Sequence, residues 1–161
     1  MNKIIGLICL CFFFLISNGQ DFVIQNGVVS TCGGNFYDSG TDTATYGINE
    51  NYTMTICSDV AGQCVSIQFT QFDLESNFDF LYIYNGPTAQ SPLIGTYTGN
   101  VSPGTITATS GCLTIKFVSD YTVNKNGWNG IINCAACPVN GCPSCTGGLP
   151  PLNDACSGAE N

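Results

Sequence analysis

Glu75, Asp79 and Asp120 are the side chains whose types and spacing point most directly to chemistry. Only 9 % of the 161 residues are charged, and these three acids each stand at the end of an apolar run. Glu75 closes Phe72-Asp73-Leu74-Glu75, Asp79 precedes Phe80-Leu81-Tyr82-Ile83-Tyr84, and Asp120 follows Phe117-Val118-Ser119. Carboxylates at strand ends lie beside turn carbonyls and Asn or Ser side chains. Such a set of hard oxygen donors suits Ca²⁺, which takes about six to eight of them in flexible geometry. The same acids admit two other readings. They are solvated loop carboxylates, or two of them form the carboxyl pair of a glycoside hydrolase, which needs a cleft and a set separation. A bound cation would neutralise such a pair.

Other chemistries fall away by composition. The chain has no His, which removes imidazole acid–base catalysis, Ser-His and Cys-His nucleophiles and His-ligated metals. The spacing Cys134-x-x-Cys137 followed by Cys142-x-x-Cys145 is that of a Cys₄ zinc site, but an exported chain oxidises such pairs, so the disulfide reading is preferred.

Export is written at the N-terminus. Residues 1–20 place one Lys before a 13-residue apolar stretch, Ile4 to Ile16, followed by Ser17, Asn18 and Gly19. This is the pattern of a secretory signal peptide, and the stretch is too short to span a bilayer comfortably. Beyond Gln20, Lys116 and Lys125 are the only cations against eleven acidic residues, a formal charge of −9. That balance disfavours nucleic acid and anionic membrane as partners and leaves a cation, a basic protein or a neutral glycan. No second apolar segment follows, so no membrane span is expected. Two sequons, Asn51-Tyr52-Thr53 and Asn100-Val101-Ser102, matter only where the host glycosylates.

The elements that must carry these residues are short strands. Apolar residues recur with period two between clusters of Gly, Asn, Asp, Ser and Pro, the pattern of an all-β antiparallel sandwich or barrel. Strands are expected over Tyr52–Cys57, Cys64–Phe69, Phe80–Tyr84, Leu93–Tyr97, Thr105–Thr109, Leu113–Phe117 and Trp128–Cys134. Phe72 breaks the parity of Val65, Ile67 and Phe69, which predicts a bulge near Thr70–Gln71. Both faces of Phe80–Tyr84 are apolar or aromatic, which predicts burial on both sides. Gly86, Gly104 and Gly127 end or open runs, where positive φ is tolerated. Tyr82, Tyr84, Tyr97, Tyr121 and Trp128 form either a sugar-stacking face or, for most of them, core and edge packing.

Nine Cys follow residue 20, a disulfide framework in which at least one thiol is free or pairs outside the chain. Cys112 and Cys134 oppose one another if the intervening chain folds as a hairpin about Val123. Cys57 closes a turn with Cys64 or pairs with Cys32. Residues 21–31 read as a lead-in and 135–152 as a Cys/Pro/Gly-rich linker. Residues 153–161 read as the start of a further domain that has been cut off.

The ordered set of motifs from Cys32 to Cys134 resembles a CUB domain, an extracellular β-sandwich module. Cys32-Gly33-Gly34 resembles the opening, and Tyr46 falls where an early Tyr is expected. Phe69-Thr70-Gln71-Phe72-Asp73-Leu74-Glu75 resembles the F-x-x-F-x-L-E segment, and Asp79 to Gly86 resembles the D-x-[apolar]-x-I-x-D-G strand. Ser91-Pro92-Leu93-Ile94-Gly95, Phe117-Val118-Ser119-Asp120 and Gly127-Trp128 complete the match. The resemblance implies a CUB-like jelly roll. It also implies a Ca²⁺ ion held by the L-E glutamate, the Asp before the next strand and the Asp of the S-D loop, which are Glu75, Asp79 and Asp120. Thr122 or Val123 then adds a loop carbonyl, and Tyr46 orients a carboxylate. In two places the chain departs from the family pattern. The Cys usually found before Asp79 is absent, and Thr98 stands where its partner Cys would be. Both halves of one family disulfide are therefore missing together.

These readings lead to a secreted or cell-surface calcium-binding module. It would recognise protein or glycan within a larger exported protein, alongside that protein's downstream domains, and it would not be an enzyme. A carboxylate glycoside hydrolase and a purely structural spacer are the alternatives.

Overall fold

A computed structural model describes residues 19–138. The signal segment 1–18, Cys142, Cys145, Cys156, most of the 135–152 linker and all of 153–161 lie outside the described residues. No helix forms among the described residues, and none is long and apolar enough to cross a membrane. Ten strands follow one another: β1 (Asp21–Val23), β2 (Gly27–Ser30), β3 (Gly33–Tyr37), β4 (Asn51–Cys57), β5 (Gln63–Asp73), β6 (Phe80–Asn85), β7 (Leu93–Tyr97), β8 (Thr105–Thr107), β9 (Cys112–Val118) and β10 (Gly127–Ala136). They make two five-stranded sheets, ordered β1-β3-β10-β5-β8 and β2-β4-β9-β6-β7. The all-β sandwich expected from the alternation is the observed architecture.

The inward residues are the ones alternation selects. Val65, Ile67, Trp128 and Ile132 from one sheet meet Met54, Ile56, Leu81, Ile83, Leu113, Ile115 and Phe117 from the other, each at most 1 % exposed. The bulge sits where parity breaks. Gln71 faces Asn129 and Phe69 faces Gly130, so Thr70 is the extra residue. Phe69 and Phe72 therefore both point inward, and both are buried. Gly86, Gly104 and Gly127 all adopt positive φ. At Gly127 the constraint is double: φ is +68°, and a Cβ would lie 2.0 Å from Asp38 Oδ2.

Several expectations are corrected. Residues 21–31, read as a lead-in, carry β1 and β2, which are edge strands of the two sheets. They pair in parallel with β3 and β4, so the sandwich is antiparallel except at these two edges. Strand β6 is buried on one face only: Leu81 and Ile83 are fully buried, while Phe80, Tyr82 and Tyr84 are half-buried. Trp128 follows the core-packing reading of the aromatic residues. It is fully buried against Phe36 and Phe117, at centroid distances of 5.7 and 5.0 Å.

The disulfides are Cys32–Cys134, Cys57–Cys112 and Cys64–Cys137. The expected Cys112–Cys134 hairpin does not form because β9 and β10 lie in different sheets. Cys57–Cys64 fails for the same reason, since β4 and β5 are likewise in different sheets. Cys57 instead faces Cys112 directly in the β4–β9 ladder. Cys32 precedes β3, whose neighbour is β10, and this brings it to Cys134 rather than Cys57. Strand β10 runs to Ala136, and Cys137 is tied to β5. The last strand thus runs past Cys134, and both cysteines of the first C-x-x-C pair are oxidised.

Candidate metal centre

Three sheet-to-sheet crossings meet at one end of the sandwich. The β5–β6 turn holds Glu75 and Asp79, the β9–β10 loop holds Asp120, and the β3–β4 loop holds Tyr46. Their convergence follows from register. Phe80 pairs with Val118, and Gly127 pairs with Asp73. Asp79, one residue before Phe80, and Asp120, two after Val118, are thereby brought side by side. Asn51 also pairs with Val118, which brings the end of the third loop to the same place.

The three acids that the sequence singles out are together. Each offers a carboxylate oxygen, and these oxygens all lie within 4.8 Å of one another. Two unit charges at that separation repel by about 3 kcal/mol at an effective dielectric near 20, a repulsion that a bound cation would relieve. Asp79 is 1 % exposed, while Glu75 and Asp120 are half-buried.

Tyr46 sits beneath the cluster, 1 % exposed, with Phe117 against its ring at 5.1 Å. Its hydroxyl donates to Asp79 Oδ2 at 2.5 Å and accepts from the Glu75 backbone N–H at 3.0 Å. Burial, and then the bond to Asp79, push the phenol's pKa well above its ordinary value, so it is a fixed donor. The other Asp79 oxygen accepts the Asp120 backbone N–H at 2.8 Å. The Asp120 carboxylate is oriented in turn by the Thr122 N–H and hydroxyl, at 2.8 and 2.9 Å on the same Oδ1.

The residues fit a hard cation on one further observation. Glu75 Oε2 is buried and has no hydrogen-bond partner. A buried carboxylate oxygen without a partner carries the full cost of its desolvation, and a cation shared with Asp79 and Asp120 would remove it. Each Asp79 oxygen keeps a second lone pair beyond the hydrogen bond it accepts, so ion ligation and the observed bonds are compatible.

Other residues hold these loops, and sequence reading assigned them no such part. Ser119 Oγ donates to Gly47 O and accepts from Glu50 N–H, Asn49 N–H donates to Asp120 O, and Asn124 Nδ2 donates to Tyr46 O. Thr98 stands where the family disulfide is missing. Its hydroxyl donates to Glu75 O at 3.0 Å and accepts the Asn77 N–H at 2.9 Å, clasping the Glu75–Asp79 turn. Its position in the sequence was visible, but the bonds of a hydroxyl are not.

A second buried acid was missed altogether. Asp38 is fully buried, and its oxygens accept the Gly40 and Trp128 backbone N–H groups at 2.7 and 2.9 Å. Burial raises its pKa to about 6 despite those bonds.

Comparison with known proteins follows the geometry. The family model described as CUB domain matches residues 32–130. Cubilin from Canis lupus familiaris is 34 % identical over 122 residues, covering 69 % of this chain and 3 % of that protein. Multiple epidermal growth factor-like domains protein 8 from Homo sapiens is 31 % identical over 117 residues, covering 72 % of this chain and 4 % of that protein. The chain thus spans only a few per cent of the length of these curated relatives. Among solved structures, the MASP-1 CUB2 domain bound to Ca²⁺ superposes with a TM-score of 0.57 at 22 % identity, covering 68 % of this chain and 98 % of that one, a likeness of fold.

Proposed function

The chain belongs to the CUB domain family, and on that premise we propose that it is a calcium-ordered recognition module of a larger extracellular protein. Glu75, Asp79 and Asp120 hold the ion, with Tyr46 fixing Asp79 and the Thr122 loop fixing Asp120. The observation that carries this reading is the convergence of three carboxylates within 4.8 Å around a buried, unpartnered Glu75 oxygen. The Ca²⁺-bound MASP-1 CUB2 domain supports it as a relative in fold. Three disulfides among the described residues fit an oxidising, extracellular setting.

The ion's part is structural: it neutralises the cluster and locks two sheet-to-sheet loops into one surface. That surface then recognises an extracellular protein or glycan on behalf of the larger protein. Carboxylate hydrolysis is the weaker reading. Asp79 is buried with both oxygens engaged, and a hydrolase carboxyl must reach substrate. Thermal unfolding tests the proposal. Millimolar Ca²⁺ raises the midpoint of the wild type, EDTA reverses the rise, and Asp120→Ala shows neither effect. An equal rise in Asp120→Ala refutes the assignment.

A further inference from the structure

Ser17 and Gly19 stand third and first before the Gly19–Gln20 bond, the small-x-small spacing of a signal cleavage site. Strand β1 begins at Asp21, directly after that bond's second residue. The first tie of this strand to its sheet comes from Gln20, whose backbone carbonyl accepts the Asn35 N–H at 2.9 Å. Asn35 Nδ2 then donates to Asp21 Oδ1 at 2.8 Å, and Ile24 N–H donates to Tyr37 O at 2.9 Å. Phe22 and Ile24 are buried in the core. Gly34 has a φ of +126°, and a Cβ there would collide with the Gln20 carbonyl, so β3 leaves room for that oxygen. The fold thus uses the chain from Gln20 onwards. A cut between Gly19 and Gln20 keeps all of these contacts, and a cut one residue later forfeits the first.

We propose that Gln20 is a modification site: export leaves it as the first residue, and it closes to a pyroglutamyl lactam that caps β1. The step needs no co-reactant. An α-amine has an ordinary pKa of about 7.7–8.0, so a share of it is unprotonated and nucleophilic near neutral pH. That nitrogen attacks the residue's own side-chain Cδ. A new C–N bond forms, the bond from Cδ to the amide nitrogen breaks, and the amide nitrogen leaves as ammonia, taking one proton from the amine. Nothing is oxidised or reduced. Gln20 is exposed, and the five-membered ring uses its N, Cα, Cβ, Cγ and Cδ atoms, so the carbonyl bonded to Asn35 is untouched. The product has no charged amine for an aminopeptidase to engage. Position gives this weight. β1 is three residues long and lies at the edge of its sheet, and chain ends fray unless tied down. Removal of Gln20 and Asp21 would take away both of the bonds that they make to Asn35.

This inference rests on the signal-peptide reading of the N-terminus and is independent of the calcium reading. The test expresses the full chain in a secreting host, collects the exported protein, and sequences its N-terminal peptide by mass spectrometry at harvest. The expected peptide begins at Gln20 and is lighter than the open form by one ammonia. A Gln20→Ala variant is expected to begin at the same position with an open amine. Incubation with a broad-specificity aminopeptidase is then expected to leave the wild type at full length and to shorten Gln20→Ala. A wild type that begins at Gln20 with an open amine overturns the modification and leaves the signal reading standing. An N-terminus at any other residue overturns both. Trimming of both proteins alike, or of neither, overturns the capping role.

Discussion

The Tyr46 hydroxyl joins Asp79 to the Glu75 backbone, donating to Asp79 Oδ2 at 2.5 Å while accepting the Glu75 N–H at 3.0 Å. One phenol from the β3–β4 loop thereby sets the position of two residues of the β5–β6 turn. Tyr46→Phe keeps the packing on Phe117 but leaves the Glu75 N–H unpaired and removes a bond to a carboxylate. The expected cost is about 2 kcal/mol in urea unfolding in EDTA, together with a several-fold loss of calcium affinity. Unchanged affinity would show that the ion does not depend on this pair.

Thr98 does by hydrogen bonding what a disulfide would do by covalent closure. Thr98→Val, nearly isosteric, removes the bonds to Glu75 O and Asn77 N–H. It is expected to destabilise the protein by about 1–2 kcal/mol and to weaken calcium binding. Thr98→Ser is expected to retain both. A Ser variant as impaired as Val would assign the role to the methyl group instead.

Asp38 makes stability pH-dependent. Its folded pKa of about 6 lies above the ordinary carboxylate value because the group is buried, an effect that the Gly40 and Trp128 N–H bonds only partly offset. Between about pH 4 and 6 the folded state binds more protons than the unfolded chain, so stability falls as pH rises through that window and levels above it. The span is worth up to about 3 kcal/mol. Carboxyl carbon NMR titration in EDTA is expected to give a midpoint near 6 for Asp38, and a midpoint near or below 4 would contradict this.

The legible parts of the fold were those with alternation long enough to count. β4 to β7, β9 and β10 announce themselves through runs such as Leu113-Thr114-Ile115-Lys116-Phe117. Three-residue β8 was found only inside the longer Thr105–Thr109 run, and β3, Gly33–Tyr37, was not expected as a strand. β1 and β2, three and four residues long, are too short to show a period, and their parallel pairing is set by tertiary packing. The acid cluster was legible because charges are sparse, so three acids at strand ends stand out, and because the motifs around them match a family. Cysteine pairing was not legible. It depends on which sheet each strand joins, and β9 and β10 read as a hairpin when they in fact face each other across the core. Asp38 gave no signal, since its burial follows from the approach of Gly127 and Trp128, about 90 residues away in sequence.

Peptide mapping without reduction checks that topology. The expected cross-links among residues 19–138 are Cys32–Cys134, Cys57–Cys112 and Cys64–Cys137. A Cys112–Cys134 peptide would place β9 and β10 in one hairpin and contradict the two-sheet arrangement. Loss of the Cys32–Cys134 bridge, which closes 102 residues, is expected to cost about 4–5 kcal/mol on the chain-entropy estimate.

Calorimetric titration of the purified module with Ca²⁺ tests the central claim most directly. One ion per chain is expected, with a dissociation constant of about 10⁻⁴–10⁻³ M as for other extracellular modules, and the binding heat is lost in Glu75→Gln. A folded wild type that takes up no Ca²⁺ at about ten times that concentration, or a Glu75→Gln variant that binds as the wild type does, would contradict the account.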